Sequence, residues 1–241
     1  MDDSTPDPKL SRRGLLAAGT TAAAAAAVAA GGPAAELALA AQGRPGTPAA
    51  ALNALMNGNA RYRRGNWKRR DYSPVGERRA TAQEPFAAIL TCADSRISPP
   101  LVFDVERGNL FAAHVAGNVV DEGTLASLEY AVAVLKVRLI MVLGHADCGA
   151  VKAAISVVAG ETSFPPARFG AIGSLIDRIT PAITALPASN RSLARGTVAN
   201  VRAQRLTLTK SEPIIAPALR RGDIRIVGAV YDIQSGRVVL T

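Results

Sequence analysis

The sequence is poor in cysteine, histidine and aromatic residues. Its 241 residues include two cysteines and two histidines, and aromatics make up 4%. Two cysteines are too few for a disulfide-built scaffold. So few aromatics leave little material for a surface that stacks nucleic-acid bases. Charged residues are also sparse at 20%, against 49% hydrophobic, which excludes global disorder. That apolar content fills the core of one domain, with or without an appended segment. No internal repeat is present. The net charge is +9, which fits either an anionic partner or a solvated basic surface.

The first 41 residues do not read as fold. A polar start leads to Ser11-Arg12-Arg13-Gly14-Leu15-Leu16. An uncharged, Ala-rich stretch follows from Gly14 to Ala35 and ends near Ala38-Leu39-Ala40-Ala41. This is the order of an export signal: basic region, mild apolar region, small-residue cleavage site. The paired arginines followed by leucines resemble a twin-arginine signal, with Leu15 where Phe is common and Ala17 where Lys is common. A membrane anchor is the competing reading, but alanine and glycine insert poorly beside Leu, Ile or Phe. The expectation is an exported protein with no stable anchor after cleavage, in the periplasm, the cell wall or outside the cell. Without residues 1–41 the chain keeps 25 basic and 15 acidic residues, so the basic character belongs to the folded part.

Residues 42–54 are expected to form a Gly/Pro-rich linker and the start of an N-terminal arm, and 55–241 the main domain. Ala49 to Arg64 has helical composition. Six of the ten residues from Arg61 to Arg70 are basic, around Tyr62 and Trp67. Without a docking motif this run reads as a solvated face rather than a nucleic-acid site. Short apolar runs at Pro85–Cys92, Leu110–Ala116, Arg138–Gly144 and Asp223–Asp232 read as strands. Helical patterns fill Glu122–Leu135, Gly149–Val158, 166–186 and 197–221, with breaks expected at Pro181, Pro213 and Pro217. After a turn at Gln234-Ser235-Gly236, Arg237–Thr241 is expected as an antiparallel edge strand. Strands alternating with helices predict an α/β fold with a mostly parallel sheet flanked by helices and an N-terminal helical arm.

The chemistry gathers in Cys92-Ala93-Asp94-Ser95-Arg96 and Gly144-His145-Ala146-Asp147-Cys148-Gly149. Each follows the end of a predicted strand, where ligands of such sheets bind. His145 and Cys148 lie close enough in sequence for one loop to aim both at a point that Cys92 reaches from another strand. Two thiolates and an imidazole suit zinc. The start of the helix after Cys148 is expected to lower that thiol's pKa. A Cys92–Cys148 disulfide is the rival reading, and export gives it weight. From the residues alone, Asp94 and Arg96 are either a functional pair or an ordinary loop salt bridge.

These two motifs closely resemble those of the β-class carbonic anhydrases. The likeness runs from about Leu55 to the C-terminus and takes in Gly58-Asn59-Ala60-Arg61-Tyr62, Ala116-Gly117-Asn118, Ser127-Leu128-Glu129-Tyr130-Ala131-Val132 and Gly228-Ala229-Val230-Tyr231-Asp232. The resemblance implies Zn2+ held by Cys92, His145 and Cys148, and a functional dyad of Asp94 and Arg96. It implies that Asp94 joins the metal only in a closed state, when its pair with Arg96 is broken. It places Gln83, Phe111, Tyr130 and Gly149 around the substrate, the aromatic pair shared across a dimer interface. The chain departs from the family at His114, where Arg is usual, at Val115, often Asn, and at Asn109, commonly acidic. His114 reads as a core or interface residue, with a proton shuttle as the alternative.

The implied reaction is reversible hydration of carbon dioxide to bicarbonate and a proton by zinc-hydroxide attack. The implied assembly is a homodimer or larger homo-oligomer, with CO2 and bicarbonate as small-molecule partners and no nucleic acid. Two other readings stay open: hydrolysis of carbonyl sulfide or carbon disulfide on the same scaffold, and a non-catalytic zinc or anion-binding protein with a closed site.

Overall fold

A computed structural model describes residues 43–70 and 83–241; the proposed export signal lies outside them. A compact unit spans Thr47–Thr241. In chain order its elements are α1 (Pro48–Arg63), β1 (Ala87–Thr91), α2 (Pro99–Val102), β2 (Leu110–His114), α3 (Glu122–Ala133), β3 (Leu139–His145), α4 (Gly149–Val158), α5 (Pro166–Phe169), α6 (Ile172–Asp177), α7 (Thr180–Thr184), α8 (Leu193–Thr209), α9 (Ile215–Arg220), β4 (Arg225–Tyr231) and β5 (Val238–Leu240). No helix of the described residues is long and apolar enough to cross a membrane.

The sheet runs in the order β2-β1-β3-β4-β5. The first four strands are parallel, and β5 returns antiparallel on β4, as its turn predicts. β1 and β3 are buried along their whole length, because helices cover both faces of the sheet. Such strands read as unbroken apolar runs rather than alternating ones. On one face Ile89, Met141 and Leu143 pack with Leu55 of α1, Phe103 and Val151 of α4. On the other, Leu90, Ile140 and Val142 pack with Leu128 of α3, Val201 and Leu208 of α8, and Ile215 of α9. α3 opens on a capping box, Asp121 and Thr124 each accepting the other's backbone N–H at 2.8 Å.

Several elements differ from their sequence reading. The helix of the arm begins at Pro48, capped by Thr47. Leu52 and Leu55 of this helix are buried, so the arm packs into the core from its second turn. The 166–186 stretch is three short helices, since Gly170 (φ 55°) interrupts it. A break does fall just before Pro181, which sits in the first turn of α7, where the missing N–H is tolerated; Pro217 sits in the first turn of α9 and does not break it. The short α2 is not foreseen at all.

The basic run Arg61–Arg70 is only partly a solvated face. Arg61 and Arg70 both turn onto Asp104, which is 3% exposed. Arg61 Nε donates to Asp104 Oδ2 at 2.5 Å and Arg70 pairs with Oδ1. Trp67 lies against Tyr62, ring centroids 5.4 Å apart, while Arg63, Arg64, Lys68 and Arg69 are exposed. Beside this clasp, buried Asn59 donates to the carbonyls of Val102 and Gly236 and accepts from Val238 N. The arm is thereby tied to both α2 and the β4–β5 turn. Burial pushes the Asp104 carboxyl up, but Arg70 and Arg61 outweigh it and hold its pKa below the usual carboxylate value. The clasp therefore contributes stability above the ordinary carboxylate range, lost as pH falls through the lowered folded value. Asp104→Asn strands two partly buried guanidinium groups and is expected to lower unfolding free energy by about 3 kcal/mol in denaturant titration at neutral pH. The deficit should shrink as the wild type is acidified.

Candidate metal centre

The strand order places the site. The chain leaves β1 for β2 on one side, and β3 joins β1 on the other. The connections therefore diverge beyond the carboxyl ends of β1 and β3 and leave a crevice, where ligands of such sheets bind. Cys92 follows β1 directly, His145 is the last residue of β3, and Cys148 caps the start of α4. Between them Asp147 takes a left-handed conformation (φ 58°), which turns the chain sharply enough to bring Cys148 back beside His145. The two sulfur atoms and a histidine nitrogen all lie within 4.8 Å of one another.

All three side chains are buried: Cys92 is 6% exposed, His145 0% and Cys148 1%. The cysteines are free thiols rather than a disulfide. His145 Nδ1 donates to the Ala146 carbonyl at 2.8 Å. That bond fixes the tautomer and leaves the Nε2 lone pair directed at the thiols. Buried Nε2 has no hydrogen-bond partner, an arrangement that a metal ion satisfies. The Ala146 carbonyl is the partner that sequence reasoning could not name, because it is a backbone group.

The protein groups already favour one thiolate. Cys92 is lowered to about 4 by the Cys148 thiol that donates to it, by His145 and by the Gly117 amide, against the opposing effect of burial. Cys148 goes the other way. Its proton is held by Cys92 and its burial disfavours charge, which together outweigh the amides of Val151 and Ala150. The expected lowering of Cys148 by its helix is thus present as a contribution but reversed in sum. Burial lowers His145, yet the Cys92 thiolate beside it raises it above its ordinary value. A metal entering this set displaces the proton of Cys148, so its binding weakens in acid.

Asp94 sits at the open side of the triad, its Oδ2 4.0 Å from His145 Nε2. Both its oxygens are engaged by Arg96, Nε on Oδ1 at 2.8 Å and the terminal nitrogen on Oδ2 at 2.7 Å. The Arg96 backbone N–H adds a third bond to Oδ1 at 3.0 Å. These bonds hold the carboxyl well below the usual carboxylate range. Gly149, the first residue of α4, and Ala116 lie together at the wall of a cavity of about 490 Å³. Ala150, Ala153, Phe164, Ile172 and Leu175 also line it, which suits an apolar ligand.

Gln83, Phe111 and Tyr130 do not join this group within one chain. Gln83 is exposed before the amino end of β1. Phe111 pairs in register with Ala88, four residues before Cys92, or about 13 Å along a strand. Tyr130, 47% exposed, lies near Phe111 with ring centroids 6.4 Å apart. His114 ends β2 in register with Thr91 and is exposed, so it is not a core residue. The turn Ala116–Asn118 went without a role in the sequence reading. Its Gly117 N–H donates to Cys92 Sγ at 3.3 Å, and no sequence pattern marks that contact.

The chain has relatives among known proteins. The family described as carbonic anhydrase matches residues 87–238. A carbonic anhydrase of Mycolicibacterium smegmatis is 40% identical over 201 residues, covering 80% of this chain and 93% of its own. Among solved structures, a Coccomyxa β-carbonic anhydrase in complex with acetazolamide is 30% identical with a TM-score of 0.57, over 67% of this chain and 73% of that one. One of two tetrameric β-carbonic anhydrases from Sordaria macrospora is 25% identical with a TM-score of 0.59, over 68% and 83%. With its zinc-type ligand set at the sheet's switch point, this chain belongs to the carbonic anhydrase family, in its β class.

Proposed function

We propose that the protein is a zinc enzyme that interconverts carbon dioxide and bicarbonate. The observation that carries this is the meeting of two buried sulfur atoms with an unpartnered imidazole nitrogen, while the nearest carboxylate is turned onto an arginine. Two soft sulfurs and one borderline nitrogen fit Zn2+, and Cys92, His145 and Cys148 would hold it. Zinc supplies a Lewis acid that makes water a nucleophile near neutral pH.

The chain's own residues do the rest. Arg96 takes both Asp94 oxygens and so keeps that carboxylate from becoming a fourth ligand. Asp94, ionised throughout the neutral range, accepts a hydrogen bond from the attacking water and orients it. The apolar cavity beside Gly149 admits CO2, which has no charge to desolvate. Bicarbonate, charged and strongly hydrated, is poorly held there and leaves, and the proton given up by the water passes to solvent.

The pocket is completed by a second copy of the chain. This assignment rests on the resemblance and on the distance of Gln83, Phe111 and Tyr130 from their own chain's centre. β2 is an edge strand, and Tyr130 and Val134 of the adjoining α3 segment are exposed at 47% and 56%. That face suits pairing between copies, giving a dimer or a larger assembly. The mature protein acts outside the cytoplasm, a reading supported by the order of residues 1–41.

Stopped-flow CO2 hydration across pH 6–9, with zinc quantified in the same sample, tests the proposal. Stoichiometric zinc with activity rising towards alkaline pH is expected. Full zinc without activity at any pH refutes it. Because Asp94 stays charged over that range, the rise should survive Ser95 or other loop substitutions that spare the Asp94–Arg96 pair. Arg96→Ala frees Asp94 and is expected to reduce kcat/KM by at least ~100-fold at unchanged zinc content; near wild-type turnover would remove Arg96 from the mechanism. Replacing Arg12 and Arg13 with lysine should leave the uncleaved protein inside cells on fractionation, whereas unaltered export would exclude the twin-arginine route.

A further inference from the structure

The Gly117 amide that donates to Cys92 belongs to a turn gripped from outside the site. Gly117 has a left-handed backbone (φ 71°). A Cβ there would fall 2.6 Å from Ile179 Cδ1 and 3.1 Å from the Ala150 Cβ, so the turn has no slack on that side. Its carbonyl accepts from Asn200 Nδ2 at 2.8 Å. Asn200, in the middle of α8, is 1% exposed. One turn along the helix, Gln204 Nε2 donates to Asn200 Oδ1 at 3.1 Å. That bond settles which end of the Asn200 amide faces Gly117. Gln204 Oε1 in turn accepts from Val120 N at 2.8 Å, and its Nε2 also reaches the Arg178 carbonyl at 3.3 Å. Two buried amides on one helix thus hold both ends of the 117–120 segment.

We infer that Asn200, oriented by Gln204, is a positioning residue for the metal centre, fixing the Gly117 amide on the Cys92 sulfur. The inference rests on Cys92 being a metal ligand. A donor aimed at a thiolate draws charge from sulfur and so leaves a bound cation more acidic. Asn200 touches no reacting atom: it acts through one peptide hydrogen bond. Helix α8 is bonded to the site's backbone 83 residues away in sequence, and this bond has no counterpart among the motif residues.

Cobalt(II) in place of zinc tests the inference, because a thiolate bound to cobalt gives a near-ultraviolet charge-transfer band whose energy reports the charge on sulfur. Wild-type protein should show the band; its absence would refute the ligand assignment itself. Asn200→Ala should move the band to lower energy and weaken zinc retention against a chelator about tenfold. Leu208→Ala, fully buried on the same helix but with no side-chain hydrogen bond to the turn, should lower Tm and leave band and retention unchanged. Gln204→Met, which keeps the chain length and loses all three amide hydrogen bonds, should give a smaller shift in the same direction and carries the test if Asn200→Ala does not fold. A folded Asn200→Ala or Gln204→Met protein with wild-type band and zinc retention, destabilised only as Leu208→Ala is, would overturn the inference.

Discussion

The structure depends on an unsatisfied demand at its centre. Two sulfurs and an imidazole nitrogen are buried together, and His145 Nε2 has no hydrogen-bond partner. Buried polar groups without partners are destabilising, and one unpaired nitrogen facing two sulfurs is tolerated where a cation occupies the point between them. The rest of the site follows from that demand. The strand order opens a crevice for the cation, the left-handed Asp147 returns Cys148 to it, and the Ala146 carbonyl fixes the imidazole so that its free lone pair points inward.

Packing around the centre is set by how closely helix α8 approaches the sheet. A Cβ at Gly144 would lie 2.6 Å from Val201 Cγ2 and 3.3 Å from Thr197 Cγ2, so only glycine lets the helix lie this near the residue before His145. The same approach puts Asn200 within reach of Gly117. The Gly144 of the metal-binding motif is therefore a packing residue. It brings the buried face of α8 to the strand end, and the amides on that face hold the turn on the Cys92 side. Sequence, packing and site chemistry meet in one missing methyl group.

Much of this was legible before the fold was known. The unbroken apolar runs of β1, β3 and β4 announce strands buried on both faces, and the clustering of Cys92, His145 and Cys148 at two strand ends announces the site. Local pattern could not supply the contacts that cross the chain. Strand order decides that β1 and β3 are neighbours, and no single segment encodes it. The Asn200–Gly117 bond spans 83 residues and ends on a backbone carbonyl. The reading of Arg61–Arg70 as a solvated face missed that two of its charges meet Asp104. A lone aspartate after α2 carries no sign of burial, and its partners come from the far side of the arm. Likewise, the helix start after Cys148 was rightly identified as favouring a thiolate, but the stronger influence, Cys92, comes from another strand.

The donor set also explains why the polar neighbours matter. Two thiolates neutralise a dication where neutral imidazoles do not, so by charge alone this centre is a weaker Lewis acid than one built on histidines. The surroundings offset part of that loss. The Gly117 amide faces Cys92, and the Ala150 and Val151 amides favour the charge on Cys148; each draws electron density from a sulfur. Asp94 adds negative charge nearby, which works in the opposite direction, and the Arg96 fork cancels it while leaving the carboxylate able to accept a hydrogen bond. The acidity of the centre is thus divided among backbone amides and one ion pair rather than resting on the ligands. On this argument the Gly117 amide of the Ala116–Asn118 turn would tune the proposed metal centre alongside the side chains of the two motifs.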